Sequence, residues 1–153
     1  MTIDTNQIRD QRQFQIINWI GILNQLASTR GNQLLTRLNL PFPQFIMLNH
    51  FSHRPNESKT VSAVAKAMQQ PQPGVTKTIQ KLEGSGYLCA VPDPIDGRVK
   101  AVKLTASGKA IHKKAVGIIQ CDLRATFGDW HESDLDRMFG LLDKLKTHLD
   151  DHR

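Results

Sequence analysis

Hydrogen-bonding and cationic side chains recur at helical spacing near the middle of the chain. Val75, Ile79 and Leu82 follow one another at steps of four and three, which predicts a helix with these side chains on its inner face. The opposite face then carries no acid and consists of Pro73, Thr76, Lys77, Gln80 and Lys81. Ammonium groups suit phosphates, whereas hydroxyl and amide groups suit the edges of bases. This face therefore favours contact with a DNA groove.

The distribution of charge supports the same chemistry. The chain has 153 residues, a formal net charge of +6 and a pI near 9.6. Between Arg54 and Lys114 there are 11 Lys/Arg and 4 Asp/Glu, a balance of +7, so the rest of the chain is close to neutral. Many basic proteins bind no polyanion, but a face without function usually mixes both signs. The middle segment is therefore the candidate nucleic-acid surface.

The elements around this helix complete a helix-turn-helix. Thr60 is a suitable N-cap for a helix of about ten residues before the tight connection Gln69–Pro73. Gly84 and Gly86 supply the backbone freedom with which the second helix ends. Tyr87–Pro92 and Val99–Thr105 are rich in strand-forming residues and flank the loop Asp93–Arg98. A helix-turn-helix followed by such a hairpin is a winged helix.

Helical periodicity also marks both ends of the chain. A long first helix is expected from about Gln7 to Arg37, with Ile16 on its apolar face, and the prolines of Leu40–Pro43 separate it from a second helix. Thr105 is expected to cap a fifth helix, and Asp129 and Glu132 have the spacing of a capping box for a last one. An apolar seam in the last helix, at Leu135, Met138, Leu142, Leu145 and Leu149, requires a partner. That partner could lie in the same chain, but the matching apolar first helix favours a dimer formed by both ends.

These segments resemble the MarR (multiple antibiotic resistance regulator) family over about residues 10 to 150. The resemblance lies in a recognition helix at Val75–Glu83 with its closing Gly86, a wing tip at Asp93–Arg98, and Leu104-Thr105 followed by Gly108. Leu40–Phe51 is similar to the family's second helix. The wing tip and the Leu-Thr-x-x-Gly motif at this spacing are the more specific part.

The resemblance implies a homodimer that places two recognition helices in successive major grooves of palindromic double-stranded DNA. Gln72, Thr76 and Gln80 are then candidates for base edges, and Lys77, Lys81 and Lys100 for phosphates. Each wing would approach a minor groove, where Arg98 is favoured by negative potential. Asp96 is expected either to orient the Arg98 guanidinium by a hydrogen bond or to form a local ion pair that holds the turn. Ala90, Val91 and Gly97 depart from the basic residues usual in such a wing.

An effector site and a metal site are weaker hypotheses. Family members often respond to small aromatic or anionic compounds, and a cleft lined by Trp19, Met47, His50 and Phe51 is one candidate, although these residues suit a core equally well. For Cys89 and Cys121 burial is favoured over redox sensing. His50, His53 and His112 lack acidic or sulfur ligands at helical spacing, so we expect no metal and no cofactor.

The sequence excludes other classes of protein. It has no phosphate-binding glycine loop, nucleophile elbow or zinc-protease motif, so an enzyme is not expected. It has neither a signal peptide nor a bilayer-spanning apolar run, which predicts a cytoplasmic protein that binds no membrane. We expect one domain, 1–153, with a DNA-binding lobe at 39–106 and a dimerisation lobe from 1–38 and 107–153. The alternative is a winged helix used for architectural DNA binding or protein contacts without an effector.

Overall fold

The computed structural model describes residues 5–153, so residues 1–4 of the expected first lobe lie outside the described range. Within that range there are six α-helices, one 3-10 turn and three short strands. In chain order they are α1 (Thr5–Leu35), the 3-10 turn (Thr36–Leu38), α2 (Phe42–Ser52), β1 (Lys59–Thr60), α3 (Val61–Met68), α4 (Gln72–Gly84), β2 (Leu88–Pro92), β3 (Lys100–Leu104), α5 (Ala106–Thr126) and α6 (Glu132–Asp151). This mainly helical winged helix confirms the predicted fold class.

The chain forms two compact units, residues 1–119 and residues 120–153. The first unit contains a hydrophobic core built from α2, α3, α4, the sheet and the first half of α5. Leu35 and Leu40, on either side of the 3-10 turn, are fully buried in it. Its largest fully buried side chain is Phe51. This core supports α4 from behind and leaves the outer face of that helix free.

The close approach of α2 to the end of α1 explains the glycine at position 31, inside a helix. A methyl group on Gly31 would overlap the ring of Phe42, so the residue lets the second helix approach the first closely. The side-chain oxygen of Asn32 accepts a hydrogen bond from the Phe42 backbone N–H at 2.8 Å. Asn39 adopts the left-handed conformation that reverses the chain, with φ of 49°. The proline segment therefore separates the helices as predicted, but α2 begins within it, at Phe42.

The sheet has one strand more than the predicted hairpin. β1 and β2 both pair antiparallel with β3, in the order β1-β3-β2. β1 is only two residues long, with Lys59 opposite Val102 and Thr60 opposite Ala101. Thr60 ends this strand and also caps α3, because its hydroxyl oxygen accepts a hydrogen bond from the Ala63 N–H at 3.2 Å.

The predicted capping box at the last helix is wrong. α6 begins at Glu132 with His131 as its N-cap, and no side chain caps that end. A turn in which the Trp130 N–H donates to the Phe127 carbonyl at 3.0 Å precedes the helix. This turn, with the two rings in edge contact 5.2 Å apart, holds Asp129 ahead of the helix and prevents it from capping.

Apolar side chains on the two terminal helices remain uncovered within the described chain. Every residue of α1 from 6 to 27 is exposed, including Phe14 at 76% and Trp19 at 65%. On α6, Leu142 and Leu149 of the predicted seam are 47% and 56% exposed, and Phe139 beside them is 72% exposed. No helix within residues 5–153 has the length and hydropathy to cross a membrane.

Candidate nucleic-acid interface

The outer face of α4 is exposed, and its inner face is anchored in the core. Val75, Ile79 and Leu82 are at most 1% exposed, as the helical spacing predicts. Gln72, Lys77, Gln80 and Lys81 on the other face are exposed, and Thr76 is half-buried. The rigid inner face fixes the direction in which these polar groups project. A helix of this kind can offer amide and ammonium groups to a groove from a backbone that is already ordered.

Thr76 has only part of its hydrogen-bonding capacity available. Its hydroxyl donates to the Gln72 carbonyl one turn earlier, at 2.9 Å. The oxygen can still accept a hydrogen bond, and the methyl group remains available for an apolar contact. Thr76 is thus better suited to a base amino group or a thymine methyl than to a base acceptor.

Two prolines shape the start of α4. Pro71 is the N-cap residue, and Pro73 lies in the first turn, where it needs no N–H. The helix begins at Gln72, inside the predicted connection Gln69–Pro73. At the other end Gly86 has a φ of 74°, which an L side chain rarely adopts, whereas Gly84 has ordinary helical geometry. Gly86 alone is required by backbone conformation.

The wing tip is held by side-chain oxygens that accept backbone hydrogen bonds. One oxygen of Asp93 accepts from the N–H groups of Ile95 and Asp96 at 2.8 and 2.9 Å. Asp96 accepts from the backbone N–H of Arg98 at 3.0 Å. Both aspartates act as Asx-turn residues and fix the loop. Sequence reasoning missed Asp93, although an Asp before Pro in a hairpin loop is a typical turn signal.

The expected role of Asp96 needs correction. Its carboxylate contacts the Arg98 backbone, and the described residues show no ion pair between it and the Arg98 guanidinium. This hydrogen bond to the backbone corresponds to neither of the two expected alternatives, an oriented guanidinium or a local ion pair. The turn is instead stabilised by a short-range bond that leaves the exposed Arg98 side chain available.

Lys100 also differs from the expectation of a free phosphate ligand. Its ammonium nitrogen lies 2.9 Å from an oxygen of Glu83 at the end of α4. The Glu83 side chain is only 20% exposed, which makes the pair better sheltered than an ordinary surface ion pair. Lys100 therefore connects the wing to the recognition helix, and sequence patterns local to either element contain no signal for this contact.

Thr105 connects the same elements at the base of the wing. Its hydroxyl oxygen accepts from the Gly108 N–H at 2.9 Å, which confirms the predicted cap of α5. The same hydroxyl donates to the Gly86 carbonyl at 2.7 Å. A methyl group on Gly108 would collide with the Tyr87 carbonyl, so this glycine allows α5 to begin against the wing. One side chain thus ties the end of α4, the wing and α5 together.

The four residues proposed for an effector cleft do not have equivalent surroundings. Met47 and Phe51 are core residues, at 1% and 0% exposure, because the inner face of α2 packs on α4 and the sheet. Trp19 lies on exposed α1, and only His50 is half-buried at the surface of α2. The expectation of a shared cleft is therefore corrected for Met47 and Phe51.

His50 and His112 both form polar contacts with neighbouring side chains. Lys59 Nζ lies 3.2 Å from His50 Nε2, and His112 Nε2 lies 3.0 Å from the Asn49 side-chain oxygen. Burial lowers the pKa of both histidines, and the charges of Lys59 and His53 lower the pKa of His50 further. Within residues 5–153 no three His, Cys, Asp or Glu side chains are arranged to hold a metal ion.

Both cysteines are free thiols. Cys89 is half-buried on β2, and Cys121 on α5 is exposed. Burial was therefore the wrong expectation for Cys121, because its position on α5 lies on a face that the described chain leaves uncovered.

The segment that builds this interface matches a known protein family. A sequence model described as the MarR family matches residues 38–99, from the end of the 3-10 turn through the wing loop. The segment that matches contains the recognition helix and the wing tip, so this part of the chain is similar to the MarR family. This match covers α2 to α4 and β2, and it confirms the resemblance stated from the motifs.

Solved structures show that the MarR-type fold extends beyond this segment. The transcriptional regulator BldR from Sulfolobus solfataricus has a TM-score of 0.78 at 21% identity, covering 90% of this chain and 96% of its own. A mutant of MarR from E. coli, solved with operator DNA, gives 0.74 at 22%, covering 94% and 99%. The S. aureus MepR–DNA complex gives 0.72 at 20%, covering 86% and 94%. The matched family consists of regulators, in agreement with the prediction that the chain is not an enzyme.

Proposed function

We propose that this chain is a sequence-specific DNA-binding transcriptional regulator that represses genes by binding a palindromic operator as a homodimer. The observation that carries the proposal is the exposed face of α4, which presents amide and ammonium groups and no carboxylate from a rigid, buried inner face. A major groove admits a helix of this kind. The two MarR-type complexes with DNA named above give the family precedent.

The residues of α4 divide into two roles in this proposal. Gln72, Thr76 and Gln80 read base edges, because amide and hydroxyl groups form directed hydrogen bonds there. Lys77 and Lys81 contact phosphates and supply the affinity that depends on salt. Arg98 on the exposed wing tip reaches an adjacent minor groove.

The uncovered helices support a dimer. α1 has 31 residues and is about 46 Å long, and residues 6 to 27 have no cover within the described chain. An exposed apolar surface of this extent is typical of an interface with another molecule. A second copy of the chain would bury Ile16 on α1 and the seam Leu135, Met138, Leu142, Leu145 and Leu149 on α6. It would also set the distance between two recognition helices.

The division into a DNA-binding lobe at 39–106 and a dimerisation lobe from 1–38 and 107–153 is part of this proposal. The regulator would act where the DNA is, in the cytoplasm. Release from DNA by a small aromatic or anionic compound rests on the family resemblance. Since Met47 and Phe51 are buried, Trp19 and His50 are the surface residues kept as candidates for contact with such a compound.

A binding selection followed by gel shifts tests the function. DNA fragments enriched by the protein should share a palindrome and bind about 10³-fold or more tightly than random DNA. Lys77→Ala and Lys81→Ala should each reduce the slope of log K against log salt by about one. Equal affinity for all fragments would favour an architectural DNA binder, and no DNA binding would favour a protein-contact module.

A further inference from the structure

The wing tip, residues 93–98, is poorly suited to phosphate contact. It contains the carboxylates Asp93 and Asp96 and one cation, Arg98, for a formal balance of −1. The next cation along the chain, Lys100, is paired with Glu83. Because attraction to phosphates supplies the sequence-independent part of DNA affinity, this tip requires another source of contact energy.

Ile95 is the large side chain that this tip presents. It is 98% exposed, more than any other large apolar residue of residues 6–153. A single exposed apolar side chain is common on protein surfaces. Ile95 is distinguished by its backbone, since its own N–H and that of Asp96 are both held by one Asp93 oxygen. The turn therefore holds the backbone from which this exposed side chain projects at the end of the hairpin.

Further apolar side chains lie along the strands of the wing. Val91, Pro92 and Val99 line an open cleft of about 320 Å³ together with Arg98 and Lys100. Val99 is 42% exposed. Apolar side chains at the tip and along the strands can pack closely against the wall of a groove, beside the cation Arg98.

We propose that the wing contacts DNA by seating Ile95 in the minor groove next to the segment read by α4. This inference rests on the proposed function and adds a contact to it. Isoleucine belongs to the side chains that proteins insert into the minor groove against base steps. The packing of β2 on α4 and the hydrogen bond from the Thr105 hydroxyl to the Gly86 carbonyl hold the wing to α4. The groove that Ile95 enters therefore lies at a fixed distance from the recognised bases. Arg98 lies beside it at the groove edge.

Three versions of one operator fragment test this contact with the full-length protein. The base pairs flanking the palindrome are A·T, G·C or inosine·C, because the guanine 2-amino group obstructs the groove floor and inosine lacks it. The wild type should bind the A·T and inosine·C flanks equally and the G·C flank several-fold more weakly. Ile95→Ala should lose several-fold in affinity for the A·T flank, discriminate less between flanks, and keep the wild-type salt slope.

Matched variants separate this contact from the neighbouring ones. Ile95→Leu should retain the flank preference, since it keeps an apolar side chain of the same size. Lys81→Ala should show the opposite pattern, with a reduced salt slope and an unchanged flank preference. Circular dichroism checks that each variant is folded.

Two results would overturn the inference while leaving the proposed function intact. One is a folded Ile95→Ala variant with wild-type affinity for all three fragments. That result would mean that Ile95 contacts a protein partner or no partner at all. The other is full flank discrimination in Ile95→Ala, which would assign the effect to Arg98 alone. Failure of the wild type to bind operator DNA more tightly than random DNA would overturn the proposed function itself.

Discussion

Lys100 on the wing forms an ion pair with Glu83 at the end of the recognition helix, with nitrogen and oxygen 2.9 Å apart. The two residues are 17 positions apart in the sequence and belong to different elements. The pair neutralises a cation that local sequence assigns to DNA, and it connects the wing to the end of α4.

Removal of the Glu83 charge should therefore strengthen DNA binding. Glu83→Gln frees the Lys100 ammonium for phosphate, and the salt slope should become steeper by about one. Lys100→Ala should change the slope less than Lys81→Ala, because Lys100 is already paired. Either variant should cost at most about 1 kcal/mol of unfolding free energy, since the pair is only partly sheltered. Equal slopes for Lys100→Ala and Lys81→Ala would show that the pair opens on DNA.

Local patterns predicted the elements of this fold that are stabilised locally. The inner face of α4 and the caps at Thr60 and Thr105 depend on residues within one or two turns of each other. β1 was missed because its two residues form a strand only through pairing with β3. The capping box at Asp129 failed because the turn from Phe127 to Trp130 precedes the helix.

The site was predictable in its outline and not in its connections. The exposed face of α4 follows from helical periodicity. The partners of Lys100 and His50 depend on how distant elements pack, and no spacing rule contains that information. Met47 and Phe51 were proposed for a cleft although they are core residues. Large apolar side chains suit both places, and only the packing of α2 distinguishes them.

The dimer interface is tested by Leu142→Asp. Leu142 lies 47% exposed on α6, so the described chain itself tolerates a charge there. At an apolar interface between two copies, the same carboxylate would be buried without a partner. Light scattering should show a dimer for the wild type and a monomer or unfolded chain for the variant. Lys144→Asp, on the same helix outside the seam, is the control, and a fully dimeric Leu142→Asp would place the interface elsewhere.

Two glycines of α5 should respond to alanine with opposite signs. Gly108→Ala drives a methyl group into the Tyr87 carbonyl and should destabilise the chain by about 1–3 kcal/mol. Gly117 has open space around it, so Gly117→Ala should stabilise by roughly 0.5–1 kcal/mol through helix propensity. Urea denaturation of both variants measures the difference. Similar effects of the two substitutions would contradict the close approach of α5 to the wing.

The histidine contacts predict a stability that falls with acid. The pKa values of His50 and His112 are lowered in the folded chain, so the unfolded chain binds more protons as the pH falls below about 6.5. Both groups therefore contribute stability that is complete above that pH and is lost as the pH falls towards their folded pKa values. The urea midpoint should decrease from pH 7 to pH 5, and less so in the double variant His50→Gln, His112→Gln. An identical decrease in both proteins would assign it to other groups.

Two substitutions of Asp96 both remove its charge, and only one of them keeps a side-chain oxygen acceptor. Its carboxylate accepts a hydrogen bond from the Arg98 backbone N–H, and asparagine keeps an oxygen acceptor at that position while alanine does not. Asp96→Asn should preserve the loop and bind operator DNA as tightly as the wild type or more tightly, because a charge that repels phosphate is removed. Asp96→Ala should loosen the tip and weaken binding, although it removes the same charge.

Arg98→Ala provides the reference for that comparison. Loss of an arginine from a minor groove should cost about 1–3 kcal/mol of binding free energy, more than either change at Asp96. Gel shifts on one operator fragment measure all three variants, with circular dichroism as the check of folding. Weaker binding by a folded Asp96→Asn variant would mean that on DNA the carboxylate turns from the backbone to the Arg98 guanidinium, and that its charge rather than its acceptor oxygen is what the wing requires.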